Sequence, residues 1–453
     1  MSASKLFQEN ITINNLKDFY TMNISHKATP GIDRINRETF EKCLDDTIKI
    51  IHKKTLNGTY KFTPYKEKLV SKGKNKAPRV ISIPTIRDKI TLGVLHEILK
   101  EVYKEKVNVK ITQTLVDELK DAIVGQRFTH FIKIDIKGFY DHINRDILFS
   151  MLKKKIKKDE VLSLLKKAIL NKTVPLSQIS STATEEEATD KGVPQGISIS
   201  NILANIYLSD IDAKFQKKNG IAYFRYVDDI LILCTDKNKN RIYNSIKRDF
   251  SKLELSINDK EDAGKLTKGF DYLGYKYALI NKAQSKYGFS VKKKNIFKLE
   301  NSLINIFSDY KYHKNSQLFI WNINLRITGF ILDKSKYGWL FFYSQIDDYS
   351  ILYHLDWFVE QLCNKFNVSS QLRILIKKFV KAYFEIKKKK GKSKYIPKSE
   401  DFSEQDKKKI LIEIYGFDRV MVNSLDSKHI NKLFKSKLYI SVKELEKDVQ
   451  SIS

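Results

Sequence analysis

The sequence has few of the residues that cross-link, break or loosen a chain. Its three cysteines, Cys43, Cys234 and Cys363, are scattered and lack metal-ligand spacing, so neither a disulfide framework nor a zinc site is indicated. Seven prolines and seventeen glycines mark no flexible linker, and no repeat of solenoid period is present. No stretch reaches the roughly 18 apolar residues of a membrane span, and the first residues lack a secretion-signal pattern. These absences predict a cytoplasmic protein that does not engage a membrane.

The charge is strongly one-sided. Lysine and arginine total 83 against 53 aspartate and glutamate, which gives a net charge of +30 over 453 residues. Such an imbalance favours a polyanionic partner, and nucleic acid more than a membrane surface. A solvated, lysine-rich surface explains part of the same excess, so charge by itself leaves both interpretations open.

The pattern of apolar residues predicts an α+β protein. Residues 1–130 mix helical patterns such as "RDKITLGVLHEILKEVY" with the short strand "APRVISIP". Strand signals concentrate in residues 131–280, where they alternate with helical stretches such as "SNILANIYLSDIDAKF". Residues 281–453 are mostly helical, with lysines and aromatic residues interleaved. We therefore expect three domains with these boundaries.

Two adjacent acids interrupt the most strand-like stretch, "YFRYVDDILILC". The flanking runs are rich in β-formers, so Asp228 and Asp229 are predicted to lie at a tight hairpin between two buried strands. Aspartate is common in turns, but hairpins of this kind prefer glycine or asparagine, and neither is present. Two neighbouring carboxylates repel each other, which indicates that they gather a cation.

A third acid ends another apolar strand, in "FIKIDIKGFYDHI". Asp135 follows Phe131, Ile132 and Ile134, just before Gly138 ends the strand. Three carboxylates brought together would offer oxygen ligands to two Mg²⁺ ions, which prefer carboxylates and substrate phosphates. Two such ions catalyse in-line displacement at phosphorus, the chemistry of nucleotide addition.

Seven segments, spread over residues 30–280 and in the family's order, resemble the motifs of reverse transcriptases. "RYVDDILI" resembles the YxDD box, "IKIDIKGFYDHI" the first metal-binding motif, and "KGVPQGISISNILANIYLSDID" the loop and helix under the template. "LELSINDKED" and "GFDYLGYKY" resemble the two motifs that follow. "GIDRIN" and "APRVISIPTIRDKI" resemble the fingers motifs of group II intron and retron enzymes. The resemblance implies a right-hand polymerase with fingers and palm, followed by a helical thumb and C-terminal region.

The resemblance implies roles for residues at these positions. Asp135, Asp228 and Asp229, with the carbonyl of Ile136, would hold two Mg²⁺ ions, and Mn²⁺ could replace them. Lys260 would donate a proton to the departing pyrophosphate. Packing alone would also explain an acid at the end of a strand.

Other residues would bind the incoming nucleotide. Arg79 suits the β- and γ-phosphates because guanidinium binds bidentately, and Lys76 could assist. Tyr140 would reject ribonucleotides by clashing with the 2′-hydroxyl. Gln195 and Gly196 would lie beside the nucleotide, although a simple strand-to-helix turn explains them too. The hairpin that supports the primer end would comprise Tyr272, Leu273 and Gly274.

The C-terminal third carries a weaker resemblance. "KKKNIFKLENSLINIFSDY" could begin a thumb that tracks a duplex backbone. The region after it is most similar to the helical C-terminal regions of defence-associated reverse transcriptases, the abortive-infection and unknown-group lineages. Packing in a core is favoured over base stacking for its aromatic residues, which are Trp339, Phe341, Phe342, Tyr343 and Trp357.

The sequence thus favours an RNA-directed DNA polymerase in bacterial antiphage defence. It would copy a non-coding RNA template, use deoxynucleoside triphosphates and make DNA held as an RNA–DNA duplex; self-association stays open. Two alternatives remain: an untemplated or protein-primed nucleotide polymerase of the abortive-infection type, and a non-catalytic RNA-binding or splicing factor.

Overall fold

The computed structural model describes residues 2–25, 28–71, 73, 77–107, 110–125, 127–178, 190–258, 262–389 and 392–449. The chain divides into two compact units. Unit 1 comprises residues 1–110 and 128–263, and unit 2 comprises residues 111–127 and 264–453. Among the described residues, no helix combines the length and apolar character that crossing a membrane requires. The division into fingers, palm and thumb stays a prediction.

Unit 1 is a mixed α and β structure. Its helices are α1 (Ala3–Asn10), α2 (Ile13–Phe19), α3 (Arg37–Lys42), α4 (Leu44–Leu56), α5 (Ile86–Val102), α7 (Phe139–His142), α8 (Arg145–Lys155), α9 (Asp159–Ile169), α10 (Ser200–Gln216) and α11 (Lys239–Lys252). Its strands are β1 (Tyr65–Val70), β2 (Arg79–Ile83), β3 (His130–Asp135), β4 (Thr173–Val174), β5 (Ile221–Tyr226) and β6 (Asp229–Cys234); β7 (Asp262–Lys265) runs into unit 2.

The central sheet of unit 1 has the order β5-β6-β3-β7. Strand β6 pairs antiparallel with both β5 and β3. Because β5 lies at the edge, it is only half-buried, whereas β6 is buried along nearly its whole length. The sequence predicted two buried strands here, and for β5 that prediction was wrong.

One face of this sheet is covered by α10 and α11. Ile132 and Ile134 of β3 pair with Ile232 and Ile230 of β6, and all four share one core with apolar side chains of both helices. Helix α10 buries residues around most of its circumference, as expected for a helix inside a core. Side chains alternate along a strand, so the neighbouring residues point to the opposite face.

A second, smaller sheet lies beside the first in unit 1, in the order β2-β1-β4. Strands β1 and β2 form an antiparallel hairpin in which Val70 pairs with Arg79. Strand β2 also contacts the loop before α10, since the Ser82 amide donates to the Gln195 carbonyl at 2.7 Å. The hairpin thereby places the first residue of β2 on the same side of unit 1 as that loop.

Unit 2 is mainly helical. Its helices are α6 (Thr112–Val124), α12 (Lys293–His313), α13 (Ser316–Thr328), α14 (Trp339–Phe342), α15 (Ser350–Lys365), α16 (Ser370–Leu375), α17 (Phe379–Lys389), α18 (Glu404–Glu413), α19 (Arg419–Ser424) and α20 (Ser427–Glu446). Its strands are β8 (Phe270–Tyr272), β9 (Tyr275–Asn281), β10 (Lys286–Val291), β11 (Phe330–Leu332) and β12 (Ser335–Tyr337).

The aromatic residues of unit 2 divide between core and surface. Trp339, Phe341 and Tyr343 are buried, and Phe342 is half-buried with its ring stacked on Tyr275. Trp357 is 57% exposed on α15. Packing in a core was therefore the wrong prediction for Trp357, because its position on the helix faces away from the buried stripe of Leu355, Val359 and Leu362.

Candidate active site

The two adjacent acids lie at a two-residue turn between β5 and β6. Tyr226 pairs with Asp229, which leaves Val227 and Asp228 as the central residues of the hairpin. Val227 has a φ of 57°, a left-handed conformation in which hairpins of this kind normally place glycine. A β-branched residue there costs about 1–3 kcal/mol and persists only where the surrounding structure imposes it. The backbone strain is thus stored beside the acids.

Asp135 is brought directly opposite Asp229. The two residues are the last matched pair of β3 and β6, and the preceding pair, Ile134 and Ile230, lies in the core. By alternation both carboxylates leave the sheet on the face opposite α10 and α11. The strand-end acid and the hairpin acid predicted from the sequence therefore share one face.

Asp228 completes the group. The Ile136 amide donates to the Asp228 carbonyl at 3.4 Å, which attaches the turn to the end of β3. Burial raises the pKa of the Asp228 carboxyl above its usual range, and the Asp135 carboxylate raises it further. Mutual repulsion of this kind requires the two carboxyl groups to be close.

Two neighbours that sequence reasoning missed stabilise these acids. Asn258 donates through Nδ2 to Asp135 Oδ2 at 2.6 Å, and its amide donates to the Asp135 carbonyl at 2.9 Å. Lys133 Nζ lies 3.6 Å from Asp229 Oδ1. Lys133 is two residues before Asp135 on the same strand, so the period of two could have identified it, whereas Asn258 comes from a distant loop.

The carboxylates do not form a ready-made metal cage. Within the described parts of the chain, no three side chains of histidine, cysteine, aspartate or glutamate are arranged to hold a metal ion. Lys133 lies against Asp229, and Asn258 hydrogen-bonds Asp135. The donor chemistry nevertheless fits hard divalent cations, which take carboxylate oxygens.

Tyr140 and Arg79 lie beside the acids. Burial raises the pKa of Tyr140 to about 12, and the Asp228 charge adds to the rise while Arg79 and Arg225 oppose it. The Tyr140 carbonyl accepts the Val193 amide at 2.8 Å, so the residue is anchored to the loop before α10. Both side chains predicted to contact the nucleotide therefore lie near Asp228.

Gln195 and Gly196 hold β2 against this site. The Gln195 side chain donates to Asp141 Oδ1 at 3.2 Å. Gly196 has a φ of 103°, and a Cβ there would come within 2.6 Å of Ile81 Cγ2 and 3.0 Å of the Ser82 carbonyl oxygen. Glycine is thus required both by conformation and by the close approach of β2.

An arginine that sequence reasoning overlooked supports the strained turn. Arg225 donates to both carboxylate oxygens of Asp212, with Nε 2.7 Å from Oδ1, and to Asn205 Oδ1 at 3.0 Å. Its Nη1 donates to the Val227 carbonyl at 2.8 Å. The Arg225 and Asp212 side chains are only 7% and 15% exposed, so this pair is bidentate and largely desolvated. The arginine in an apolar strand, three residues before the acids, was the available signal.

The remaining predicted residues fall elsewhere. Lys76 and Lys260 lie outside the described residues. Tyr272, Leu273 and Gly274 lie in unit 2, where Tyr272 pairs with Tyr275 across a turn whose central residues, Leu273 and Gly274, have φ values of 47° and 83°. This is the conformation of a type I′ hairpin. Its role as a primer grip stays a prediction.

Comparison with known protein families finds a match that spans these residues. The family model "Reverse transcriptase (RNA-dependent DNA polymerase)" matches residues 66–277. Those residues form a reverse transcriptase domain. The domain includes the three acids, Arg79 and Tyr140, and its recognition by sequence is confirmed. Placement among the defence-associated lineages stays a prediction.

Individual relatives of the reverse transcriptase domain are distant. Protein YkfC of Escherichia coli is 23% identical over 319 residues, which are 59% of this chain and 80% of YkfC. The group II intron-encoded protein LtrA of Lactococcus lactis is 28% identical over 183 residues, 39% of this chain and 29% of LtrA. This chain thus matches less than a third of LtrA.

Solved structures with a related chain path include telomerases. The telomerase of Candida albicans, solved with a fragment of telomeric RNA, has a TM-score of 0.43 and is 15% identical, covering 86% of this chain and 69% of its own. Apo telomerase of Candida tropicalis has a TM-score of 0.40, with coverages of 85% and 66%.

Proposed function

We propose that this protein is an RNA-directed DNA polymerase that extends a primer with deoxynucleotides. The observation that carries the proposal is the pairing of Asp135 with Asp229 on one face of the sheet, with Asp228 in the adjoining turn close enough to Asp135 to feel its charge, inside a reverse transcriptase domain. Carboxylates from a strand end and an adjacent hairpin are the chemical means by which two metal ions are held at a growing end. The relatives whose printed names refer to introns add support.

Asp135, Asp228 and Asp229 would hold two Mg²⁺ ions, with the Ile136 carbonyl as a further ligand and Mn²⁺ as an alternative metal. The fit rests on charge, because the pKa of Asp228 is raised first by burial and then by the Asp135 carboxylate, and a divalent cation beside both carboxylates would offset these effects. Bound ions would activate the attacking hydroxyl and stabilise the leaving pyrophosphate. Asn258 and Lys133 would then orient the carboxylates rather than neutralise them.

Arg79 and Tyr140 would bind the incoming nucleotide. Arg79 begins β2, whose Ser82 amide donates to the Gln195 carbonyl, and its charge acts on Asp228, where it opposes the rise in pKa. A guanidinium there would bind the triphosphate bidentately. Tyr140, half-buried and anchored through its carbonyl, would present its ring to the sugar and reject a 2′-hydroxyl by clash.

The partners and biological role are part of the same proposal. The template would be RNA, from a neighbouring non-coding transcript, and the product would be DNA paired to it. Free thiols at Cys43, Cys234 and Cys363 suit a reducing cytoplasm. The resemblance of the C-terminal region to defence-associated lineages supports a role against phage.

Primer extension tests the activity. Purified protein is incubated with a primed RNA template of defined sequence, Mg²⁺ and labelled deoxynucleotides, beside a variant carrying Asp228→Ala and Asp229→Ala. We expect template-matched DNA from the wild type and none from the variant. Template-independent product would favour an untemplated or protein-primed polymerase, absence of product an RNA-binding factor, and product from the variant would show that the wrong residues are assigned.

The biological role needs a separate experiment. Cells carrying the gene with its flanking sequence are challenged with a phage panel, in parallel with cells carrying the double aspartate variant. We expect fewer plaques only with the wild type, and sequencing of copurified nucleic acid should return one recurrent transcript. Equal plaque counts with both proteins across the panel would contradict the defence role without affecting the polymerase assignment.

A further inference from the structure

A group of cations lies on unit 1 where the end of α10 meets α11. Helix α11 has the sequence KNRIYNSIKRDFSK, with five cations and one acid. Arg241, Arg248 and Lys252 are spaced i, i+7 and i+11, so they share one stripe of the helix. All three are exposed. We define this stripe, together with Lys214 and Lys218 of the α10 end, as the palm-helix cluster.

Contacts join the two parts of the cluster. Lys214 hydrogen-bonds the carboxylate of Asp249, and Lys252 Nζ lies 3.7 Å from the other oxygen of the same acid. The ammonium groups of Lys214 and Lys218 lie 5.6 and 5.2 Å from the centre of the Phe215 ring. Asp249 is only 9% exposed, so two of the five cations contact one buried carboxylate.

The cations act on one another. The pKa of Lys218 is lowered by burial, then by Arg241 and Lys214, with Arg248 adding to the effect and Asp249 opposing it. The neighbouring positive charges repel the Lys218 ammonium, and an anion bound among them would relieve that repulsion. Arg241 adds to this cost, because it lies in the first turn of α11, where the helix dipole disfavours a cation.

Elsewhere the chain arranges its surface lysines differently. Many are neutralised within their own helix by an acid three or four residues away, as in the pairs Lys49–Asp46, Lys100–Glu97, Lys104–Glu101, Lys408–Glu404 and Lys447–Glu444. Such pairs keep a surface polar without concentrating positive charge on it. In the palm-helix cluster Lys252 follows that pattern with Asp249, whereas among the described residues no ion pair joins Lys218, Arg241 or Arg248 to an acid. A lysine-rich surface with paired charges therefore does not explain these three cations.

The cluster is separated from the proposed active site. Helices α10 and α11 cover the face of the sheet formed by Ile132, Ile134, Ile230 and Ile232. Asp135 and Asp229 leave the opposite face by alternation. A template and primer held at the acids would therefore lie on the other side of the sheet from the cluster.

We propose that the palm-helix cluster is a second nucleic-acid site, which binds the phosphate backbone of a duplex outside the catalytic cleft. Phosphate contacts require cations and no base recognition. The ring inside the cluster, Phe215, is fully buried beneath Lys214 and Lys218, so it offers no face on which an unpaired base could stack. Backbone contact along a duplex, RNA or DNA, is thus the chemistry that the surface provides.

The test uses a variant with Lys218→Gln, Arg241→Gln and Arg248→Gln. Lys214 and Lys252 are kept because they neutralise buried Asp249. The matched control removes the same charge from paired positions, through Lys49→Gln, Lys100→Gln and Lys104→Gln. Binding of labelled RNA and DNA duplexes of about 20 base pairs is measured by fluorescence anisotropy across a salt series.

We expect the cluster variant to bind duplex at least tenfold more weakly than the control near 0.1 M salt. The slope of log K against log salt should fall by about two to three, since each lost phosphate contact contributes roughly 0.9. Weaker binding of the RNA duplex, the DNA duplex or both by the cluster variant supports the site. The duplex that is affected identifies the kind of nucleic acid bound. Equal affinities and equal slopes for the two variants would overturn it.

A direct readout locates the site without any polymerase assay. Saturating duplex should protect Lys218 of the wild type from an amine-acylating reagent, and full reactivity in the complex would also overturn the proposal. Extension of a short template–primer should be unchanged in the cluster variant. If the wild type extends no primer, the proposed polymerase function fails, whereas anisotropy and acylation still decide on this second site.

Discussion

Val227 is the residue at which local preference and function oppose each other. A valine at φ 57° is unfavourable on its own, yet the turn is held by the Arg225 guanidinium on its carbonyl and by the Ile136 amide on the next residue. Strain that neighbouring groups impose is typical of functional turns. We therefore expect substitutions of the side chains around Val227 to change activity through their charge and shape more than they change the stability of the fold.

Tyr140→Ala should relax the discrimination against ribonucleotides. The ring is held close to Asp228 and Arg79, so its removal opens the space that a 2′-hydroxyl would take. We expect the ratio of kcat/KM for deoxy- over ribonucleotides to fall by at least tenfold, measured by single-nucleotide incorporation. Tyr140→Phe keeps the ring and should keep the ratio; an unchanged ratio in Tyr140→Ala would exclude the gate.

Asp228→Asn should stabilise the fold while abolishing activity. A carboxyl whose pKa is raised in the folded state destabilises that state once it is ionised, so stability is lost as the pH rises through the folded pKa. Removing the charge should raise Tm at neutral pH by about 2 °C, the shift expected for roughly 1 kcal/mol.

The metal distinguishes this effect from simple packing. Without divalent cations, the asparagine variant should melt above the wild type, and added Mg²⁺ should stabilise the wild type more than the variant, as measured by thermal denaturation. In the metal-free measurement Asp229→Asn is the control and should melt below the wild type, because the Asp229 carboxylate lies 3.6 Å from Lys133 and gains from that contact. An identical response of wild type and Asp228→Asn to Mg²⁺ would argue against a metal at this position.

At the scale of elements, the β5–β6 hairpin depends on α10. Asp212 and Asn205 of the helix accept hydrogen bonds from Arg225 of β5. The Tyr223 hydroxyl of the same strand also donates to Asp212, at 2.9 Å. The helix therefore sets the position of the strand, and through Arg225 the position of the turn. Lysine cannot reproduce this arrangement, because it lacks the planar fork that binds two acceptors at fixed angles.

Arg225→Lys should lower kcat more than it raises KM. The variant keeps the charge but loses the bidentate contact and the bond to the Val227 carbonyl, so the acids lose alignment while nucleotide contacts persist. We expect kcat to fall at least tenfold with KM within about threefold, in steady-state primer extension. Arg419→Lys, an exposed arginine of α19, serves as control and should match the wild type; a KM effect alone would contradict the positioning role.

At the scale of the whole molecule, the chain crosses between its units three times. Residues 111–127 belong to unit 2, although they lie between segments of unit 1. Within unit 2, helix α6 buries Leu115, Val116 and Leu119, and Lys120 pairs with Asp347 at 2.5 Å. A division of the gene after residue 263 therefore does not separate the units.

A chain ending at residue 263 should aggregate. It would retain α6 without the partners that cover its apolar stripe, and each such side chain contributes about 1.5–3 kcal/mol when buried. Size-exclusion chromatography should show large species for this truncation. Replacing Leu115, Val116 and Leu119 with glutamine in the truncated chain should increase the monomer fraction, whereas monomeric behaviour of the unaltered truncation would contradict the assignment of α6.

The sequence by itself determined the class of fold and the principal acids. Periodicity predicted β3, α5, α10 and α12, because amphipathic and buried patterns are local properties of the chain. The acids were found for the same reason, since each interrupts an apolar run.

Only the tertiary structure decided which residues serve those acids. Asn258 reaches Asp135 across 123 residues, and Asp212 meets Arg225 from a different element. Likewise, the assignment of α6 to unit 2, the exposure of Trp357 and the meeting of Lys218 with Arg241 depend on packing between distant segments. The spacing of residues in the sequence predicts which face of a helix or strand each residue occupies. Contacts between residues of different helices and strands are determined only when these elements pack into the core.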